Sequence, residues 1–318
     1  MKISEAEFAD LYIGEDFADV AGLNGMDKDE LIPVPAQFDD EIVQLRAQCF
    51  KIIADQPVGE FSLRKGNVLL RVTCLPSTDG KDVFVIRKPM AKLLDREEIG
   101  LGKSDLEYLM RPELRGLVLF VGEMRSGKTT RAASFVKARL ETHGGTAIAI
   151  EDPPETALDG MHGRGRCIQV DARGSGAYQE QLKRSVRTGA GMIYLGEVRD
   201  GETAMQVVSA CNNGHLILST THALSVQDAI MRICNFCAGK LEDPEKALAS
   251  GLAVVVHLKL FSKWVNSATG PKEVKRVEYT MLRVEGNKQV QGLIRTKQFH
   301  LIDNAVEEQQ AKQRSGSF

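Results

Sequence analysis

The stretch that decides the fold runs from Leu117 to Thr130, LVLFVGEMRSGKTT. Its leading apolar run, Leu117 to Val121, predicts a short buried strand. The run leads into Gly122, Glu123, Met124, Arg125, Ser126, Gly127, Lys128 and Thr129, which fit the phosphate-loop pattern G-x-x-x-x-G-K-[ST], and Thr130 closes the stretch. Beyond Lys128, residues Ala132, Ala133, Phe135, Val136 and Leu140 can line one face of a helix. A tight loop from strand into helix turns successive backbone N–H groups inward as a nest for anionic oxygens, and the helix N-terminus adds partial positive charge. Lys128 can then reach the β- and γ-phosphates of ATP, and the Thr129 hydroxyl can ligate Mg²⁺. Gly122 and Gly127 supply the turn geometry. Arg125 is a less usual loop residue that either reaches a phosphate or points to solvent.

Working outward, apolar strand candidates recur at 146–151, 167–170, 192–197 and 216–220, with helical intervals at 177–188, 202–212 and 224–236. This alternation predicts an α/β fold with a mainly parallel sheet over 116–306. Segments 253–260 and 276–284 read as later strands or a hairpin, and the polar tail 307–318 as frayed. Upstream, 41–90 reads as a small α+β domain: a helix over 41–54, strands at 67–75 and 82–87, and a turn at Pro76-Ser-Thr-Asp-Gly80. Residues 91–115 read as a charged, helix-rich connector. Residues 1–40 hold eleven acidic residues against Lys2 and Lys28, which predicts a solvated lead-in or, alternatively, a docking surface.

The 318 residues suit two domains, and 43% hydrophobic with 26% charged residues is an ordinary globular balance. A formal net charge of −2 gives no global electrostatic case for nucleic-acid binding. No apolar run is long enough for a membrane span, no signal-peptide pattern opens the chain, and six scattered cysteines suit a reducing cytoplasm. Cys234 and Cys237 have metal-ligand spacing, but without a second close pair ordinary packing is the simpler reading.

In open α/β sheets ligands bind outside the carboxyl ends of the strands. Three polar groups are read there besides the phosphate loop: Glu151-Asp152-Pro153-Pro154-Glu155, Gly196-Glu197-Val198-Arg199-Asp200, and Gly214-His215 with Thr220-Thr221-His222 at the far end of the next strand. Hydrolysis of a triphosphate needs one carboxylate to orient the attacking water and another to support hydrated Mg²⁺. Glu151 and Glu197 are the candidates. Gly196 stands where an Asp often precedes the second acid, so Glu197 acts alone or shares the task with Glu151. His215 and His222 either sense the γ-phosphate or are structural. Met192 and Tyr194 read as core.

Together these boxes resemble the secretion ATPase superfamily, over roughly residues 65–305. GEMRSGKTT resembles its phosphate loop, IEDPPE its aspartate box, LGEVRD its second-strand box with Gly before Glu, and NNGHLILSTTH its histidine box. ELRGLVLFVG and GLIRTKQFHLIDNAV are most similar to the PilT-like retraction ATPases and to plasmid-transfer and Dot/Icm-type ATPases. The resemblance implies a RecA-like domain behind a small PAS-like N-terminal domain, and a homo-hexameric ring with nucleotide between subunits. It implies that Arg71 and Arg87 reach the phosphates, that Glu151 orients the water, and that Glu197 supports the metal. It also implies partners in an inner-membrane platform or a secretion or conjugation machine, met at the cytoplasmic face. Two departures stand out: Arg187-Thr188-Gly189-Ala190-Gly191 replaces an acidic stretch, and the first 60 residues match no known pattern. A RecA-like nucleic-acid motor and a nucleotide-gated scaffold that barely hydrolyses ATP are the alternatives.

Overall fold

The computed structural model describes residues 2–27, 30–55, 57–66, 68–88, 92–174, 176–267 and 270–314, of which 263–267, 270–275 and 314 by backbone alone. The chain forms two compact units: Met1–Lys92 with Glu151–Ala157 and Asp171–Ala177, and Leu93–Ile150 with Leu158–Val170 and Tyr178–Phe318.

The first unit is built on strands β1 (Asp10–Ile13), β2 (Ala18–Ala21) and β3 (Leu31–Pro33), helix α1 (Asp39–Asp55), and strands β4 (Glu60–Lys65), β5 (Val68–Pro76) and β6 (Asp82–Arg87). The strands form one antiparallel sheet in the order β3-β2-β1-β6-β5-β4. In α1, Ile42, Leu45 and Cys49 fall on one helical face and are buried, while Asp39, Asp40 and Glu41 occupy the first turn, where the helix dipole favours acids. The core gathers Phe38, Phe61 and Phe84 around them, and Phe50 meets Phe84 edge-on at 5.0 Å.

Here the acidic opening departs from the expected solvated lead-in. Ile3, Leu11, Ile13, Val20 and Leu23 are buried in the same core. Strands of four residues are too short for composition to reveal. In β1 alternation sends Leu11 and Ile13 inward and leaves Asp10 to meet Arg87, while Glu15 and Asp16, in the turn between β1 and β2, meet Lys81.

The second unit runs through α2 (Lys103–Leu109), β7 (Gly116–Gly122), α3 (Lys128–His143), β8 (Gly145–Glu151), β9 (Gly160–His162), β10 (Gly165–Asp171), α4 (Ala177–Ser185), β11 (Met192–Leu195), α5 (Gly201–Asn212), β12 (Leu216–His222), α6 (Val226–Cys237), α7 (Pro244–Gly251), β13 (Leu252–Ser267), β14 (Gly270–Arg283), α8 (Lys288–Arg295) and α9 (Ile302–Arg314). Its eight-stranded sheet has the order β14-β13-β7-β12-β11-β8-β10-β9. Strands β13, β7, β12, β11 and β8 pair in parallel, whereas β14 and β9 are antiparallel additions. This is the mainly parallel α/β sheet, preceded along the chain by a small α+β domain, that the sequence predicts. β13 and β14 pair from Val254↔Arg283 out to Ser267↔Gly270, much further than the apolar runs suggest.

Residues 93–115 carry the helix expected of the connector, in α2, but are also built into the core. Ile99, Leu109, Met110 and Leu114 are buried in the core with Phe120 and Phe135. Polar side chains of α3 hold the irregular backbone there: Ser134 Oγ accepts from Leu94 N at 2.8 Å, Arg131 Nε donates to Ile99 O at 3.0 Å, and Arg139 donates to Leu109 O and Arg111 O at 2.7 and 3.0 Å. Nor does order stop at 307, because α9 runs to Arg314 and buries Gln309.

Candidate active site

Strands β7, β12 and β11 lie side by side and parallel, so their carboxyl ends open on one edge. β7 is buried throughout and delivers the chain at Gly122. A Cβ at Gly122, with φ +151°, would lie 2.3 Å from the Leu258 carbonyl oxygen. The loop can therefore leave the sheet beside β13 only with glycine. Gly127 (φ 86°) is the left-handed residue that starts α3, and Arg125 adopts φ 64°, a conformation few side chains favour. Met124 is 77% exposed, whereas Ser126 is buried and its hydroxyl has no hydrogen-bond partner among the described residues. An inward hydroxyl beside a bare helix N-terminus suits an anionic oxygen.

Lys128, only 7% exposed, folds back into this loop and donates to the Glu123 carbonyl at 2.7 Å. Its Nζ also lies 3.4 Å from Nδ1 of His222, which ends β12 opposite Gly122. An ammonium only donates, so Nδ1 accepts and the ring proton belongs on Nε2. Nε2 faces Glu197 Oε1 at 3.8 Å. Burial, then the charge of Lys128, hold His222 below its ordinary pKa; Glu197 opposes them and Arg232 adds to them. A lysine, a neutral histidine and a carboxylate thus stand in line along the edge. A cavity of about 420 Å³ opens there between Gly122, Glu123 and Met124 on one side and His222, Leu224, Asp228 and Arg232 on the other.

The residues suit a phosphate with a hard cation. Nested N–H groups and Lys128 match phosphate oxygens, while Thr129 on the first turn of α3 and Glu197 are oxygen donors of the kind Mg²⁺ takes alongside its waters. The backbone around Glu197 is held by hydroxyls to which the sequence reading gave no role. Ser219, Thr220 and Thr221, all buried, reach the backbone on either side of it. Three hydroxyls in an otherwise apolar strand were the available signal, because a buried hydroxyl needs a partner.

Other expectations fare differently. His215 precedes Leu216 at the amino end of β12, beside Gly116, where β7 begins. It is about 20 Å of strand away from His222, at the wrong end of the sheet for a phosphate sensor. Its backbone accepts from Gly116 at 3.0 Å, which is a structural task. Glu151 closes β8, is 2% exposed, and clusters with the first unit. Arg71 and Arg87 are cross-strand neighbours in that unit. Arg71 pairs with Glu60 at 2.9 Å and Glu155 at 3.8 Å, and Arg87 pairs with Asp10. Cys234 and Cys237 are buried, and burial raises their thiols to about 12 and about 11, as suits packing residues. No group of three potential metal ligands occurs among the described residues. No helix among them is long and apolar enough to cross a membrane.

Comparison with known proteins agrees with this architecture. Residues 57–315 match the family described as type II/IV secretion system protein. Competence protein ComGA of Bacillus subtilis (strain 168) is 28% identical over 233 residues, covering 69% of this chain and 64% of that protein. A putative type II secretion system protein E of Escherichia coli (strain K12) is 34% identical over 187 residues, covering 55% of this chain and 36% of that protein. The chain thus spans between 36 and 64% of the length of these two relatives. Among solved structures, the pilus retraction motor PilT with bound ADP superposes with a TM-score of 0.73 at 21% identity, covering 97% of this chain and 90% of that one. The Legionella pneumophila ATPase DotB superposes at 0.67 with 14% identity, covering 96 and 88%. At these identities the superpositions speak for the fold, while the family match spans most of the sequence. The chain belongs to the type II/IV secretion system protein family.

Proposed function

We propose that the protein is a ring-forming, Mg²⁺-dependent ATP hydrolase that powers a type IV pilus or a type IV secretion or conjugative transfer machine. The observation that carries the reading is the alignment of Lys128, His222 and Glu197 along the edge where the phosphate loop opens. In this reading Lys128 exchanges the Glu123 carbonyl for β- and γ-phosphate oxygens, and residues 122–130 enclose the phosphates with backbone N–H groups. Bound Mg²⁺, held by Thr129 and supported by Glu197, would neutralise phosphate charge. Glu151 orients the attacking water. As water attacks the γ-phosphorus the bond to the β,γ-bridging oxygen breaks, leaving ADP and inorganic phosphate. Arg71 and Arg87 exchange their carboxylate partners for the charge that develops there.

The relatives named for type II secretion and competence, and the solved pilus retraction motor and ATPase, support a place in such a machine. The active form in this reading is a homo-hexamer with nucleotide between copies. It would sit at the cytoplasmic face of the inner membrane through platform or channel partners, without binding nucleic acid directly. Phosphate release in the presence of ATP and Mg²⁺ tests the proposal, and Lys128→Ala and Glu151→Gln should each abolish it. Turnover near wild type in both variants would overturn it. Stimulation of hydrolysis by DNA or RNA, falling steeply with salt, would instead favour a nucleic-acid motor.

A further inference from the structure

Main-chain pairing between β11 and β12 ends at Leu195↔Ser219, and the chain then leaves the sheet through residues 196–200 to α5. A segment leaving a sheet loses its ladder, yet this one stays pinned. Ser219 Oγ donates to Leu195 O at 2.7 Å, Thr220 Oγ1 to Gly196 O at 2.7 Å, and Thr221 Oγ1 to Val198 O at 2.9 Å. In return Val198 N donates to Thr220 O at 2.8 Å. The three acceptor carbonyls bracket Glu197. The donors are 0, 3 and 0% exposed, so water has no access to replace them.

The other edge of β12 pairs with β7 as far as Thr220↔Phe120, Thr221↔Val121 and His222↔Gly122. One strand therefore carries the phosphate loop on one side and the acid on the other. With neighbouring strands about 4.8 Å apart, loop and acid are spaced about 10 Å across it. That gap suits a hydrated cation and a phosphate, provided the acid does not drift.

We propose that Ser219, Thr220 and Thr221 are positioning residues that fix Glu197 at the phosphate-loop edge before any ligand arrives. The inference rests on the reading of Glu197 as a working acid of that site. The hydroxyl of Thr220 acts on the residue before Glu197 and that of Thr221 on the residue after it. Losing either frees one side of the acid while leaving the loop itself intact.

The test uses the full chain carrying Thr220→Val or Thr221→Val, each beside its serine counterpart, with Glu197→Gln for reference. Thr296→Val serves as a control, because that hydroxyl bonds the Gly292 carbonyl on an exposed turn at the end of α8. The valine variants should lose about ten- to hundredfold in kcat, with KM for ATP within about twofold of wild type. They should need more Mg²⁺ for half-maximal rate, and serine should restore both. In the nucleotide-free protein, the Val198 amide should exchange with solvent faster in the Thr220→Val variant than in the control, a readout independent of turnover. Wild-type kcat, Mg²⁺ dependence and exchange in the valine variants, with Glu197→Gln inactive, would overturn the positioning role alone. Serine variants as impaired as the valines would also overturn it, by showing a packing effect. Full activity in Glu197→Gln would instead bring down the reading of the acid on which the inference rests.

Discussion

Replacing Asp105 with alanine should destabilise the second unit by about 3 kcal/mol. The Asp105 carboxylate receives Arg283 NH2 at 2.7 Å and the Tyr279 hydroxyl at 2.9 Å, with side chains of Asp105 and Arg283 only 5% and 10% exposed. Tyr279 in turn accepts the Gly102 N–H at 2.7 Å, and the Arg283 guanidinium lies 4.5 Å from the Tyr108 ring centre. Gln309 of α9 joins the Arg283 backbone from both sides, at 2.9 Å each. Removing one member of a buried pair costs about 3–5 kcal/mol, because the other charge stays behind unmatched. The lower end applies here, since the Ser104 hydroxyl at 3.1 Å and the Tyr108 ring still face Arg283. At about 2–4 °C per kcal/mol for a unit of this size, Tm should fall by about 6–12 °C in thermal melts followed by circular dichroism. Asp105→Leu combined with Arg283→Met should recover most of that loss, because two apolar groups leave no orphaned charge. A fall below about 2 °C in Asp105→Ala, or simple additivity in the double variant, would refute the reasoning.

Four further outcomes follow from the site. Lys128→Met should raise the His222 pKa and Glu197→Gln should lower it further, as read by NMR titration of the ring; movement in the same direction would contradict the alignment. Because His222 sits below its ordinary value of 6.5, its contribution to stability is complete above that pH and is lost as acid drives the pH down through the folded-state pKa. A urea series from pH 8 to 5 in wild type and His222→Gln should show that difference. Gly122→Ala should cost more stability than Gly127→Ala, about 2–4 against about 1–2 kcal/mol, because the first Cβ meets the fixed Leu258 carbonyl and the second the far end of the Arg131 side chain, which can shift at the expense of its bond to Ile99. His222→Ala should impair phosphate release while His215→Ala leaves it intact, in the same assay.

The turn at 122–127 from strand into helix and the central sheet were legible because each rests on contiguous residues. Five apolar positions before Gly122 read as a buried strand, and the Gly, Lys and Thr spacing after it reads as a tight turn into a helix, which is how the chain runs there. What escaped depends on partners distant in sequence. The connector reads as charged because Arg96, Glu97, Glu98, Lys103 and Asp105 crowd a short stretch. Its burial becomes visible only once Ser134, Arg131 and Arg139 of α3 are seen to hold its backbone. The acidic opening misled for a related reason, since an excess of carboxylates is compatible with a strand that hides every second residue. His215 and His222 flank one strand, which the sequence places between them, but either could then be a phosphate sensor, and only the parallel pairing with β7 puts His222 beside Gly122 and His215 at the opposite end.

That last point explains why the histidine box carries so many hydroxyls. A strand between the loop and the acid must be rigid in the sheet and yet bond sideways beyond the end of its ladder. Apolar side chains achieve the first requirement only. Serine and threonine achieve both, because their β-carbons pack like those of alanine or valine while the hydroxyl completes a carbonyl that pairing has abandoned. Ile217, Leu218 and Ser219 are paired on both sides, Ser219 being the last position that β11 reaches, whereas Thr220 and Thr221 lie beyond it and pair with β7 alone. The change from aliphatic to hydroxyl residues along β12 therefore begins at the last position its neighbour reaches and continues where that neighbour has peeled away, and Glu197 lies two residues beyond the last paired one.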